Sequence, residues 1–356
     1  MCVAHSRDPR QCIIPPFMLE RLAESRNASV RKAALRNLQV SAEVRTQRAL
    51  LANFGAGYLR NTLPRSAGAT KLERRVYDQG GRNPPASRLP GTLRRAEGQA
   101  ATGDAAVDEA YRFAGNTWTF WRKVHGRNSI DDAGMTLVGS VHAGVGYDNA
   151  FWNGMQMVYG DGDGVVFQRF TRSLDVVAHE LTHGVVQYTS TLDYHGESGA
   201  LNEHFADVFG VLVRQYTRRE TAAASDWLIG RELLVAAPTR RAIRNMKEPG
   251  TAYANDAFLG SDPQPAHYRN RYKGSDDNGG VHINSGILNR AFALAAIDAG
   301  GSAWRTVGPI WYQVMQNLLP SSAFADCAAQ LRSVARTQAD GKHRLAVERA
   351  LRTVGL

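Results

Sequence analysis

Two histidines and a glutamate in the segment HELTH, residues 179–183, could bind a metal ion and use it in hydrolysis. On a helix, His179 and His183 are four residues apart and project from one face. Two neutral imidazoles in this arrangement can bind zinc, and Glu180 between them can act as a base toward zinc-bound water. A buried helix whose histidines only make hydrogen bonds would show the same short motif. Further ligands are therefore needed to decide.

A third ligand candidate lies twenty residues after His183, in the segment GALNEHFADVFG, residues 199–210. Its periodicity predicts a second helix, with Glu203 and Asp207 on one face. Three protein ligands and one open position are typical of catalytic rather than structural zinc. Asp207 could accept the second ring N–H of one ligand histidine, and Asn202 could do the same for the other. The alternative is a helix whose acidic face is solvated.

A third cluster occupies residues 276–286, DDNGGVHINSG. The Gly279-Gly280 pair predicts a turn, beside which His282 lies close enough to Asp277 for the carboxylate to orient its ring. A histidine held in this way near zinc could stabilise an oxyanion. Taken alone, His282 also fits an ordinary loop histidine.

Composition narrows the class of protein. The 356 residues are 43% hydrophobic and 21% charged, as in globular proteins, and contain no apolar run long enough to cross a membrane. The net charge of +10 is concentrated in residues 1–75, which carry +9, so nucleic-acid binding by the remainder is not favoured. The polar N-terminus predicts a cytoplasmic protein or one exported by a non-standard route. Cys2, Cys12 and Cys327 have no metal-site spacing, and their role stays open.

The chain divides into a small basic segment and a larger body. Residues 1–60 are predicted to form short helices, the first beginning at the Pro15-Pro16 pair and continuing through Met18 and Leu19. The stretch that follows is rich in Gly and Ser, and we expect it to be an exposed, cleavable linker. The predicted linker, strand-rich lobe, central HELTH helix and helical lobe cover residues 61–70, 71–172, 173–191 and 192–356.

These blocks carry a family resemblance. HELTH, followed by YHGESGALNE and DNGGVHINSG, resembles the thermolysin-like neutral zinc metalloproteases, and NAFWNGMQMVYGDGDG, residues 149–164, is similar to a strand and loop of that family. The N-terminal PPFML block is similar to protealysin and its relatives, the subgroup with a short propeptide. The resemblance implies an α+β fold of two lobes, strand-rich and then helical, with the zinc cleft between them and a small helical propeptide in front.

The resemblance also implies which residues act on the metal. His179, His183 and Glu203 would bind one zinc ion, and Glu180 would be the general base. Zinc lowers the pKa of its bound water to about 7, so that Glu180 can take a proton as the water attacks a peptide carbonyl. Glu180 would then pass this proton to the leaving amine.

Further residues are implied to hold the substrate. Tyr194 and His282, the latter positioned by Asp277, would stabilise the oxyanion. Four residues would hold or flank the peptide main chain, one of them through its backbone: Asn149, Ala150, Trp152 and Arg244.

By the same resemblance, an apolar pocket would receive the residue just after the cut. Such a pocket prefers an apolar side chain, because burying one is worth about 1.5–3 kcal/mol. Phe170 stands where relatives can have a smaller aliphatic residue, so we expect Leu or Ile to be favoured over Phe. The implied lining consists of Phe167, Phe170, Val176, Ile229 and Ile243.

The paired calcium site of the family is eroded in this sequence. Asp175 and Asp226 remain, but three positions where Glu is expected hold Arg214, Leu228 and Arg231. Calcium requires oxygen ligands, and guanidinium groups would repel it, so we expect Arg–Asp pairs in place of the metals. A one-residue shift in the alignment is the alternative, since Glu232 follows directly. Calcium binding therefore stays open, unlike zinc binding.

These observations predict a monomeric zinc endopeptidase that acts on protein or peptide substrates and is made as an autoprocessed precursor. Residues 1–60 would act as an intramolecular inhibitor until cleaved; a permanent helical accessory domain is the alternative. Two rival functions are a zinc hydrolase for another substrate class and an inactive binding protein. The residues expected to hold a peptide disfavour the first, and the complete catalytic set disfavours the second. The physiological substrate and the processing bond are not predicted.

Overall fold

The computed structural model describes residues 12–53, 70–83 and 89–356. The linker predicted at residues 61–70 lies outside these ranges except for Thr70, and Cys2 lies outside them as well. Within them, a strand-rich lobe precedes a helical lobe, and two helices precede both. This α+β arrangement agrees with the prediction from sequence.

The described residues 12–53 of the N-terminal segment form two helices, α1 (Pro16–Ala23) and α2 (Ala28–Asn53). Pro15 is extended and Pro16 begins α1, where the missing N–H of proline costs no hydrogen bond. Asn27 precedes α2, and its side-chain oxygen accepts from the backbone N–H of Ser29 at 3.0 Å. The apolar side chains of α1 are buried, so this helix is packed onto the body: Met18, Leu19 and Leu22.

In its described residues, the strand-rich lobe contains a five-stranded mixed sheet formed by β1 (Arg74–Asp78), β2 (Thr92–Ala96), β3 (Leu137–Val141), β4 (Ala150–Trp152) and β5 (Met157–Tyr159). The strand order is β2-β1-β3-β5-β4. Strands β1 and β3, and β3 and β5, are parallel, whereas β4 is an antiparallel edge strand paired only with β5 among the named strands. Helix α3 (Ala105–His125) packs against the sheet and follows Asp104, whose carboxylate caps its first turn.

The central helix α4 (Leu174–Gln187) carries HELTH, and every residue from Leu174 to Val186 is buried. It packs against α5 (Gly196–Arg218), which is buried from Gly199 to Gln215. Gly210 lets these helices approach, because a Cβ there would lie 2.6 Å from the carbonyl oxygen of Asp175. The metal-ligand candidates of the two helices are thereby brought face to face.

The helical lobe continues with a two-stranded sheet and four more helices. None of the helices in the described ranges is both long and apolar enough to cross a membrane. The bounds are β6 Leu228–Ile229, β7 Arg244–Asn245, α6 Asp276–Ala299, α7 Gly308–Asn317, α8 Phe324–Gln338 and α9 Gly341–Val354. Three short 3-10 helices lie at Phe170–Arg172, Arg231–Leu233 and Tyr268–Asn270.

Candidate active site

Three fully buried ligand atoms from α4 and α5 converge on one point. Nε2 of His179 lies 3.1 Å from Nε2 of His183, and these nitrogens lie 3.5 and 3.4 Å from the carboxylate oxygens of Glu203. Ligands with bonds of about 2.0–2.2 Å stand roughly 3.3–3.6 Å apart around a tetrahedral zinc ion. The donor set and its spacing therefore fit zinc.

Each histidine is held through its other ring nitrogen. Nδ1 of His179 lies 2.8 Å from Oδ1 of Asp207, and Nδ1 of His183 lies 2.8 Å from Oδ1 of Asn202. Burial lowers the pKa of His183 to about 3, so its imidazole is neutral and its Nε2 lone pair is available to a metal. These contacts fix both ring orientations.

Asp207 is itself held by two donors. The Arg244 guanidinium donates to both of its oxygens, at 2.8 and 2.7 Å, and Asn289 donates at 2.8 Å. Burial alone would raise the pKa of Asp207, but Arg244 and the His179 ring hold it well below its usual range. Asp207 is therefore ionised, and it links the His179 ring to the residue expected to bind substrate. No motif in the sequence pointed to Asn289.

Glu180 is oriented by the edge strand β4. The backbone N–H of Trp152 donates to Oε2 of Glu180 at 3.0 Å. The indole N–H of Trp152 donates to Oε1 of Gln187 at 3.0 Å, and Nε2 of Gln187 donates to the carbonyl of Gly154 at 3.2 Å. Gln187, on the last turn of α4, thus ties this helix to the end of β4. It belongs to none of the sequence motifs that predicted the site.

His282 and Tyr194 face the same point from the helical lobe. Residues 277–280 have φ between 52° and 80°, which breaks the first turn of α6 and is easiest for its two glycines. Asp277 then accepts from the backbone N–H of His282 at 2.8 Å and lies 2.6 Å from its Nδ1.

The other ring nitrogen of His282 points toward the metal ligands. Nε2 lies 3.2 Å from the Tyr194 hydroxyl and 3.5 Å from Oε1 of Glu203, to which Tyr194 also donates. Burial opposes the charged ring, but the Glu203 and Asp277 carboxylates raise the pKa of His282 to about 9. Two proton donors therefore lie beside the ligand set.

Residues of the N-terminal segment lie in this cleft, along the edge of β4. The N–H of Ile13 donates to the carbonyl of Ala150 at 3.4 Å, and the N–H of Ile14 donates to Oδ1 of Asn149 at 3.1 Å. Nδ2 of Asn149 donates back to the Ile14 carbonyl at 3.3 Å, and Arg244 donates to the Ile13 carbonyl at 3.2 Å. The groups expected to hold a peptide therefore hold these residues.

Two family models together match nearly all of the chain after the N-terminal segment. Residues 64–187 match the model for the thermolysin metallopeptidase catalytic domain, and residues 190–356 match that for its alpha-helical domain. The chain belongs to the thermolysin metallopeptidase family.

Two curated proteins are similar to this chain over most of their length. An extracellular metalloprotease of Pectobacterium carotovorum is 46% identical over 87% of this chain and 86% of its own. Protease PrtS of a Photorhabdus strain is 44% identical over 85% of this chain and 80% of its own.

A solved structure, the precursor of protealysin from Serratia proteamaculans, superposes with a TM-score of 0.86 at 42% identity. The match covers 97% of this chain and 99% of that one. The predicted family, fold and zinc ligands are confirmed, and this thermolysin-family chain is a zinc metalloendopeptidase in precursor form.

The apolar residues expected to line the substrate pocket of this thermolysin-family chain are fully buried and belong to the main hydrophobic core, which also includes Ile13. The rings of Phe167 and Phe170 stand 5.8 Å apart, and Ile229 pairs with Arg244 across β6 and β7. The cluster thus adjoins the arginine that contacts the Ile13 carbonyl. Its remaining predicted members are Val176 and Ile243.

At the positions where the family resemblance implies a paired calcium site, this chain has ion pairs. Arg214 is buried and donates to Asp175 at 2.6 Å and to Asp226 at 2.9 Å. Arg231, which is largely exposed, donates to Asp226 at 3.2 Å. Glu232 pairs instead with Arg218 at 2.9 Å. The two aspartates are therefore already paired with cations.

Proposed function

We propose that this metalloendopeptidase cleaves extended peptides on the amino side of an aliphatic residue and that residues 1–60 act as its intramolecular inhibitor. The observation that carries the proposal is the main-chain binding of Ile13 and Ile14 at the edge of β4, beside the zinc ligands. A peptide bound through its backbone can have many sequences, which suits a protease better than a hydrolase of another substrate class.

The catalytic roles follow from the positions of the side chains. Zinc, held by the three buried ligands, would supply an activated water and polarise the scissile carbonyl. Glu180, held by Trp152, would accept a proton from the water and give it to the leaving amine. His282 and Tyr194 would donate hydrogen bonds to the oxygen of the attacked carbonyl. Asp277 would hold His282 in position for this role.

Binding of the substrate would rest on groups that now hold the N-terminal segment. Arg244 would donate to the carbonyl of the residue after the cut, and Asn149 would bind the next residue at both its N–H and its carbonyl. Ile13, whose carbonyl accepts from Arg244, is a buried aliphatic residue of the same hydrophobic core as the expected pocket lining, which supports a preference for Leu or Ile over Phe at this position. A peptide library that showed Phe to be preferred would contradict this.

The boundaries proposed for the mature enzyme are those predicted from the sequence. Residues 71–172 and 192–356 would form the two catalytic lobes around the helix at 173–191, and the linker at 61–70 would be cut on activation. The burial of Met18, Leu19 and Leu22 supports an inhibitory rather than a loosely attached segment. A monomeric state is proposed as well, and light scattering of the purified protein would test it.

The experiment that tests the function compares the wild type with Glu180→Gln. Both proteins are expected to bind one zinc ion, because Glu180 is not among the ligands. After removal of the N-terminal segment, the variant should hydrolyse casein about 10³-fold more slowly. Equal hydrolysis by the two zinc-loaded proteins would overturn the assignment of the base. A lack of casein hydrolysis by both would overturn the proteolytic function.

A further inference from the structure

The N-terminal segment enters the cleft as an added strand. Cys12 forms an antiparallel bridge with Phe151 of β4, and the next residues continue the ladder toward Asn149. Pro15 follows in an extended conformation with ψ of 152°, directly before α1 begins. The segment thus contacts the edge of β4 through its main chain, as a peptide bound by β-strand addition does.

The carbonyl of Cys12 lies beside His282 and Tyr194, the proposed oxyanion donors. Its oxygen lies 3.0 Å from Nε2 of His282. The same nitrogen lies 3.2 Å from the Tyr194 hydroxyl and 3.5 Å from a carboxylate oxygen of Glu203, a zinc ligand. The Cys12 carbonyl therefore occupies the position where an attacked carbonyl would be polarised.

On the other side of the same peptide bond, Ile13 makes the contacts expected of the residue that carries the leaving amine. The Ile13 nitrogen donates to the carbonyl of Ala150, and the Ile13 carbonyl accepts from Arg244. Two residues further along β4, the Trp152 N–H holds Glu180. The base is therefore tied to the strand that holds the leaving nitrogen.

We propose that the Cys12–Ile13 peptide bond is a substrate of the chain's own active site and is hydrolysed within the same molecule. The inference rests on the proposed function. Water adds to the Cys12 carbonyl carbon and the C–N bond breaks, leaving a carboxylate on Cys12 and an amine on Ile13. Glu180 moves the proton from water to that nitrogen. No other reactant is consumed.

This cut differs from activation, because it leaves the inhibitory segment attached. Residues from Ile13 onward remain covalently joined to α1 and α2, whose buried side chains include Met18 and Leu19. Asn37 of α2 also donates to the buried carboxylate of Asp148 at 2.8 Å. The product is a nicked chain that begins at Ile13, and its cleft stays filled until a second cut removes the segment.

The test follows the intact mass of the full chain. The wild type, Glu180→Gln and Ile13→Pro are purified in the presence of a zinc chelator, and zinc is then added. We expect the wild type to lose residues 1–12 and both variants to keep them, the second because a proline after Cys12 makes the scissile bond a tertiary amide. Tenfold dilution should leave the half-time unchanged, since the reaction is intramolecular. A half-time about tenfold longer would overturn cleavage within one molecule.

A parallel sample separates this inference from the proposed function. The zinc-loaded chain is treated briefly with trypsin to remove the N-terminal segment, the trypsin is inhibited, and casein hydrolysis is measured. If casein is hydrolysed while untreated chains keep the Cys12–Ile13 bond, the inference is wrong and the proposed function stands. If neither casein nor the Cys12–Ile13 bond is cleaved, both the inference and the proposed function are wrong. A new N-terminus at Ile13 in the wild type alone supports the inference.

Discussion

Nη1 of Arg214 lies 2.6 Å from Oδ2 of Asp175, and both side chains are buried. Nη2 of the same guanidinium lies 2.9 Å from Asp226, and Nη1 also donates to the Leu228 carbonyl. One planar cation thus joins α5 to the start of α4 and to the loop before β6. In a buried site, each of these charges depends on the others for its compensation.

Replacement of Arg214 should therefore destabilise the fold. In Arg214→Met, Asp175 stays buried without its counter-charge, and we expect the free energy of unfolding to fall by about 3–5 kcal/mol. Urea unfolding in a Glu180→Gln background, which excludes self-digestion, measures the change. Arg231→Met is the matched control: Arg231 also pairs with Asp226 but is 62% exposed, so its loss should cost at most about 1 kcal/mol. Equal losses would contradict a structural role for the buried pair.

The ion pairs of Arg214 and Arg231 with the two aspartates predict that calcium is not needed for stability. Guanidinium groups lie against both aspartates, so a second cation would meet positive charge and few free oxygens. A calcium-selective chelator should shift the melting temperature by less than about 1 °C. A zinc chelator is the comparison, because it should abolish casein hydrolysis. A drop of several degrees with the calcium chelator, reversed by added calcium, would show a metal site elsewhere.

The metal centre was predictable because its residues occur in pairs four positions apart within single helices. Helical periodicity places His179 and His183 on one face of α4, and it does the same for Glu203 and Asp207 on α5. The docking of the two helices was not local, and the family resemblance supplied it. Asn202 directly precedes the ligand Glu203 on α5, and it contacts His183 on the facing helix α4.

The contacts that fill the cleft could not be read from the sequence. Ile13 and Arg244 are separated by 231 positions, and Cys12 and His282 by 270. No local pattern encodes such a pairing, and residues 12–14 lie outside the PPFML block that predicted α1. The available signal was the apolar triplet directly before Pro15, since a residue preceding proline is biased toward an extended backbone.

Gln187 should act as a positioning residue for Glu180, the proposed general base. In Gln187→Leu, the Trp152 indole loses its acceptor and Gly154 loses a donor, so the end of β4 that holds Glu180 can shift. We expect kcat of the mature enzyme to fall about 10-fold with KM changed less than about 2-fold. Gln187→Glu keeps the acceptor and should restore most of kcat. A rise in KM at constant kcat would instead indicate a role in substrate binding.

His142 should make the strand-rich lobe sensitive to high pH. Its ring lies 2.8 Å from Asp161 and 3.0 Å from Asp104, and the hydrogen bond to Asp161 contributes most to raising its pKa to about 9. Because the folded-state pKa is raised, the stabilisation is fully present below the unfolded pKa of about 6.5 and disappears as the pH passes 9.

The measurement compares the parent protein with His142→Asn in urea at pH 6 and pH 10, both in the Glu180→Gln background. Asn tolerates the positive φ of 54° at this position, so the backbone should be retained. We expect the variant to be less stable by on the order of 1–2 kcal/mol at pH 6 and nearly equal at pH 10. A difference that is the same at both values would rule out the ionised ring as its source.

The contact between Asn37 and Asp148 joins the N-terminal segment to the residue before Asn149, so it should help set the latency of the precursor. The Asp148 carboxylate accepts from Asn37 at 2.8 Å, and burial together with the nearby Asp163 raises its pKa. Asn37→Asp has nearly the same shape but replaces a donor with a second carboxyl group. Two carboxyls in a buried site disfavour docking of α2, by on the order of 2–3 kcal/mol near neutral pH.

We therefore expect Asn37→Asp to gain casein hydrolysis sooner than the wild type after zinc is added, and at a lower concentration of activating trypsin. Leu35→Asp is the control, because it adds the same charge to α2 at a side chain that is 56% exposed. The gap between Asn37→Asp and the wild type should narrow at pH 5, where one proton can be shared between the two carboxyls. Equal latency of the two variants at pH 8 would mean that α1 and the residues before it hold the segment without help from this contact.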